Sequence, residues 1–188
     1  LVIEATCGVV ADDVLLLVVT ARGNPLFTPP AGFSFIRQDI VRNNVRQSVW
    51  WKAATGSEPA SYVVGLNQTK DVVGAVLAYR GVDSADPIAA HGGMTASSST
   101  ITAPGVTTVT DDSLLVGLFG ASSLGPISPD GLTPRGGLYQ DISYAVGVGA
   151  ADMVQNTAGP TGEKAATMVR SAPNIGQLIA LHPAASVP

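Results

Sequence analysis

Charge, cysteine, aromatic residues and long apolar runs are all scarce in this 188-residue sequence, and each shortage removes a class of answer. Charged residues make up only 13%, and the 10 cations are scattered among 14 acids for a net charge of −4. That leaves no basic stripe for a phosphate backbone, so no nucleic-acid partner is expected. The single cysteine, Cys7, rules out an internal disulfide and is expected as a buried apolar residue of a first strand. No apolar run approaches the roughly 20 residues of a membrane-spanning helix, so membrane insertion is not expected either. Lys, Glu, Gln and Arg are too few, and helical stripes too short, for a helical domain. The chain opens at Leu1 without a methionine, so the true N-terminus is expected upstream.

What is abundant is Gly (21), Pro (13), Ser and Thr, the composition of many short strands joined by tight turns. Val2 to Val10, Val14 to Thr20, Gly32 to Arg37, Val45 to Ala54, Ala60 to Leu66 and Val72 to Tyr79 read as strands, separated by turn residues such as Gly23-Asn24-Pro25 and Gly56-Ser57-Glu58-Pro59. Alternation through Val45 to Ala54 sets Trp51 and Trp50 on opposite faces, and Trp51 is expected inside and Trp50 exposed. Phe33 and Phe35 are core candidates on one face. Arg80 to Met94, rich in Gly and Pro, reads as a crossover.

Asp12-Asp13 ahead of an apolar run returns as Asp111-Asp112, and the same 99-residue offset carries Gly32 onto Gly131 and Ser34 onto Thr133. Gly74-Ala75-Val76-Leu77-Ala78 returns as Gly176-Gln177-Leu178-Ile179-Ala180. The expected fold is therefore all-β: one domain over 1–188, a two-sheet, jelly-roll-like β-sandwich with an internal pseudo-repeat. Its halves would span about 1–83 and 97–183, linked by 84–96.

Catalytic patterns are weak. His91 and His182 lack the convergent partners of a zinc site. Asp12, Asp13, Asp83, Asp86, Asp111 and Asp112 could gather at sheet ends around calcium, but without an EF-hand spacing they read better as turn caps. Glu58 and Glu163 fall in turns rather than as a glycosidase pair, and no Gly-x-Ser-x-Gly elbow occurs. No catalytic, metal or cofactor residues are assigned. An interaction surface is expected from Trp50, Tyr139 and Tyr144, whose rings could stack on a sugar or be covered by a neighbouring subunit.

Pro30-Ala31-Gly32-Phe33, Trp51-Lys52-Ala53-Ala54, Glu58-Pro59-Ala60-Ser61-Tyr62, Ala78-Tyr79-Arg80-Gly81-Val82-Asp83, Pro129-Asp130-Gly131-Leu132 and Ile175-Gly176-Gln177-Leu178-Ile179-Ala180-Leu181, together with the two Asp-Asp runs, resemble a recurring β-sandwich module. That module occurs in secreted bacterial proteins and in tail, fibre or head-surface proteins of bacteriophages. The resemblance implies a non-enzymatic structural part at a virion surface or outside a cell, contacting identical copies or other virion proteins. A secreted carbohydrate-binding or adhesion module is the alternative.

Overall fold

A computed structural model describes residues 1–123, 125–140 and 145–185. Its strands are β1 (Val2–Glu4), β2 (Val14–Arg22), β3 (Phe27–Thr28), β4 (Ser34–Val41), β5 (Val45–Ala53), β6 (Ser61–Val63), β7 (Gly65–Leu66) and β8 (Val72–Tyr79) in the first half. The second half holds β9 (Ile88–Ala103), β10 (Thr107–Thr108), β11 (Ser113–Ala121), β12 (Ser128–Asp130), β13 (Thr133–Gln140), β14 (Val146–Gln155), β15 (Gly159–Pro160) and β16 (Lys164–Leu181). The chain is an all-β sandwich of antiparallel sheets, without helix among the described residues.

One main sheet runs β4-β5-β2-β8 and the other β12-β16-β11-β14-β13, with β9 also paired to β16. Each half thus supplies one sheet, and the strand order matches: β2 and β11 lie centrally, between β5 and β8 in one case and β14 and β16 in the other. Asp12 and Asp112 share a left-handed backbone, with φ of 68° and 56°. Leu16 and Val18 face Val116 and Leu118 across the inter-sheet core. The sequence offset of 99 is therefore one residue short over this strand; a slip of one would exchange its faces. Further on, Gly32 and Gly131 both take positive φ, and Ile36 and Arg135 each occupy a bulge, so the 99-residue offset holds there.

Val14 to Val19 is uniformly apolar because the first sheet is covered on both sides. Val14, Leu16 and Val18 join Val49, Ile179 and Leu181 between the sheets. Leu15, Leu17 and Val19 face outward beneath Ile3, Tyr62 and Val64, carried by the small strands β1 and β6 and the residue that follows. On the far side of the second sheet, Leu115, Phe119 and Leu178 lie under Ile101, Ala103, Ala166 and Met168 from the bent β9/β16 ribbon.

Three expectations are overturned, the first of them by this outer layer. Trp50 does lie opposite Trp51, but it is 5% exposed, packed edge-on to Phe27 and Phe35 at 6.1 and 6.3 Å, whereas Trp51 is only partly buried against the inter-sheet core. The bulge at Ile36 turns that side chain into the core and leaves Phe35 exposed, while Phe33 packs on Tyr62. Cys7 is exposed, because the first strand ends at Glu4. A fourth difference is β9: Ile88 to Met94, read as part of a connection, pairs along Leu181 to Gly176.

Candidate functional site

The sandwich has two open sides, closed by different chemistry. Along the β4 and β9 side a polar chain joins the sheets. Buried Thr20 donates to Gln47 Oε1 (2.8 Å), Gln47 Nε2 donates to Gln177 Oε1 (2.8 Å) and Gln177 Nε2 donates to Asp39 Oδ2 (2.7 Å). Arg37 then holds Asp39 through two hydrogen bonds of 2.6 and 2.9 Å and approaches His91 Nδ1 at 3.2 Å. Gly120 and Gly93 give this chain its room, since a Cβ on Gly120 would lie 2.0 Å from Gln47 Oε1 and one on Gly93 2.4 Å from Asp39 Oδ2. Burial, then the Arg37 charge, push the His91 pKa down.

The opposite side, between the edge strands β8 and β13, is apolar. A cavity of about 260 Å³ is lined there by Val18, Ala75, Leu77, Leu138, Val148 and Ala150. A second, also about 260 Å³, lies across β13, where Tyr139 meets Pro126, Ile127, Pro129 and Pro134. The two share Gly136, Gly137 and Leu138. Neighbouring side chains of a strand point to opposite faces, so Leu138 serves the inter-sheet side and Tyr139 the outer one. Gly147 and Gly149 on β14 form the trough for Ile127: a Cβ on Gly149 would stand 3.1 Å from Ile127 Cγ2. Leu138 and Tyr139 are 48% and 52% exposed, so the groove presents apolar surface to solvent.

Its far end is polar. Arg135, in the bulge of β13, reaches Asp152 through hydrogen bonds of 2.6 and 2.8 Å, beside Tyr79 and the exposed Arg80. Burial, then the Asp152 carboxylate, drive the Tyr79 phenol pKa upward. Arg80 bridges to buried Asp13 at 2.9 Å, and that pairing lowers the Asp13 pKa.

Of the three residues expected to form an interaction surface, Tyr139 lies in this groove. Trp50 lies under the outer layer of the other sheet, and Tyr144 falls outside the described residues. Sequence reading missed Leu138 and Phe35 as exposed apolar groups, and it missed the β8 edge; alternation alone does not say which strands end a sheet.

The acidic residues hold backbone. Asp13 Oδ2 accepts from Val10 N–H and Asp83 Oδ1 from Ala85 N–H, each fixing a turn, whereas Asp111 Oδ1 accepts from Ala158 N–H, 47 residues along the chain, and so ties two loops together. Glu58 accepts from Lys52 Nζ, Tyr62 OH and Thr55 N–H, all at 2.7 Å. Burial works to raise its pKa, but these donors outweigh it and hold Glu58 at about 2, below the ordinary 4.5. A carboxylate so placed is ionised near neutrality and has no proton to give as a general acid. Its folded pKa is depressed, so its stabilisation is complete above pH 4.5 and drains away as pH falls toward about 2. Glu58→Gln is accordingly expected to lower the neutral-pH melting temperature and to flatten its fall between pH 4.5 and 2. Melting curves across that range read it, and an unchanged slope would remove Glu58 from the acid response.

With this geometry in place, comparison with family models, curated proteins and solved structures finds no match to the chain.

Proposed function

We propose that the chain is a non-catalytic structural module acting through protein–protein contacts, carried on the exterior of a bacteriophage particle in a tail, fibre or capsid-decoration protein. Its partners are identical copies or neighbouring virion proteins. The observation that supports contact is the apolar groove between β8 and β13, with Leu138 and Tyr139 facing solvent on an edge strand. An open sheet edge and an exposed apolar groove are what a packed neighbour covers. The placement on a phage exterior, or more broadly outside a cell, rests on the sequence resemblance alone.

Carboxylates that could work as acids or bases support the non-catalytic reading, because Asp13, Asp39, Glu58 and Asp152 are each held by a cation. The alternative, a secreted sugar-binding or adhesion module, draws on Tyr139, whose half-exposed ring lies in a shallow trough as a stacking platform would.

Mass measurement in solution tests the choice. The expected result is a multimer that Leu138→Lys returns to monomer without loss of melting temperature. A monomer that binds polysaccharide and loses that binding on Tyr139→Ala would overturn it in favour of the sugar-binding reading.

A further inference from the structure

The two sheets differ at one strand position. In the second, β16 lies between β11 and β9, with Gly176 opposite Met94, Leu178 opposite Gly92 and Ala180 opposite Ala90. In the first, the matching strand β8 pairs with β2 on one side and, among the described residues, with no strand on the other. We propose that the free edge of β8 is an acceptor for one extended peptide strand of the β9 kind, antiparallel to β8 and with its C-terminal end beside Leu1. The inference is independent of the phage assignment and of Tyr139, but it concerns the β8 side of the groove already described and so bears on the contact surface of the proposed function.

The repeat fixes where the strand goes. Leu1 and Val64 exchange backbone hydrogen bonds of 2.9 and 2.8 Å, and Val2 pairs with Val63. In the second half the same ladder is Thr102 with Ala165 and Ala103 with Lys164, the last rungs of β9. Gly74 lies under Leu1 and Ile3, as Gly176 lies under Thr102 and Ala103. The chain near Leu1 therefore holds the position of the end of β9, and the path that the rest of β9 takes along β16 corresponds to the open path along β8. A cavity of about 480 Å³ lies at the start of that path, lined by Leu1, Leu66, Lys70 and Val72. Another, of about 650 Å³, flanks Val76 to Arg80 beyond it.

Backbone chemistry agrees. Val76 O accepts a hydrogen bond of 2.9 Å from the Thr6 hydroxyl, so the polar groups of Val76 turn away from β2. On an antiparallel strand those of Gly74 and Ala78 turn the same way. At the matching place, Leu178 pairs with Gly92, and Pro104 and Val106 lie over that glycine, 3.1 and 3.2 Å from where its Cβ would be. Thr6 thus stands where a cover for the inserted strand would stand, with its hydroxyl on a carbonyl that a strand amide would otherwise reach. The strand it covers needs Gly or Ala opposite Val76, as β9 has at Gly92.

A synthetic peptide with the sequence of Pro87 to Thr100 is the probe, with a scrambled peptide as control. Amide hydrogen exchange on the whole chain should show Gly74, Val76 and Ala78 slowed about tenfold by the probe and not by the scramble. A second variant carries a copy of Ile88 to Ile101 fused directly ahead of Leu1; it should show the same protection without added peptide. Ala78→Pro removes one outward N–H while sparing the ladder to β2, and should weaken peptide binding about tenfold. Unslowed amides in both the peptide and the fusion experiments would overturn the proposal. So would protection that rises with protein concentration alone and tracks a two-chain mass, since a second copy of β8 would then be the occupant.

Discussion

Gly176→Ala is expected to cost about 3 kcal/mol or more, well above what the matching change in the first sheet does. A Cβ at Gly176 would stand 2.3 Å from Thr102 O, 2.4 Å from Thr102 C and 2.6 Å from Ala103 N. All three are backbone atoms of β9, where that strand bends with β16 and crosses back over the sheet. They cannot swing aside as a side chain can, so the ribbon must lift and uncover Phe119 and Leu178. At Gly74 the nearest atoms to an added Cβ are Ile3 Cδ1 at 2.8 Å and Leu1 Cδ2 at 3.0 Å, the free ends of rotatable side chains, with Val18 O also at 3.0 Å. Gly74→Ala is therefore expected to cost about 1 kcal/mol. Urea denaturation of the two variants measures the difference. Equal losses would mean that β9 does not rest on Gly176.

The contrast between these glycines also shows what sequence could and could not say. Gly74-Ala75-Val76 and Gly176-Gln177-Leu178 were visible as a repeat, because a duplicated strand keeps its small residue where another layer comes close. The turns at Asp12 and Asp112 were visible too, since only a few residue types tolerate a left-handed backbone at low cost. The one-residue error in aligning them came from the doubled aspartates, which match twice at an offset of 99 and only once at 100, where Asp13 falls on Ser113; the inward face of Leu16 and Val116 decides for 100. Trp50 failed for a different reason. Period-two alternation assigns a residue to a face but carries no information about what covers that face, and here the cover is made by strands of two or three residues, β1, β3, β6 and β7, too short to leave a pattern. The first part of β9, Ile88 to Met94, was missed because its Gly92-Gly93 has weak strand preference, and its pairing with β16 overrides that preference. The groove had no local signal at all: β8 and β13 are distant in sequence and meet only as sheet edges. Tyr139 was found by its residue type, not by its neighbours.

Gln177→Leu tests the polar side of the sandwich, and a loss of about 2–4 kcal/mol is expected. Gln177 gives Asp39 Oδ2 a hydrogen bond of 2.7 Å and takes one of 2.8 Å from Gln47 Nε2, so leucine leaves a charged acceptor with Arg37 as its remaining side-chain donor and weakens a buried donor together. Gln47 keeps only the longer bond to Leu118 O, at 3.3 Å, for its amide group. Replacing both glutamines with leucine should cost less than the sum of the single changes, because the second substitution removes a group that the first left unsatisfied. The pH response gives a readout that simple packing damage would not move. Burial works to raise the Asp39 pKa, but the hydrogen bonds from Arg37 and Gln177, with the Arg37 charge, outweigh it and hold the pKa below the ordinary 3.8. Its stabilisation is then complete above pH 3.8 and lost as pH falls through the lower folded value. Without Gln177 the folded pKa rises toward the ordinary one, so the variant's stability should fall less steeply below pH 3.8 than that of the parent chain. Gly120→Ala strikes the same chain from the second sheet, placing a Cβ 2.0 Å from Gln47 Oε1 while leaving Asp39 its own donors. It should therefore match Gln177→Leu in stability lost at neutral pH but keep the parent's full fall in acid, and an equal flattening in both would place the acid response elsewhere than Asp39.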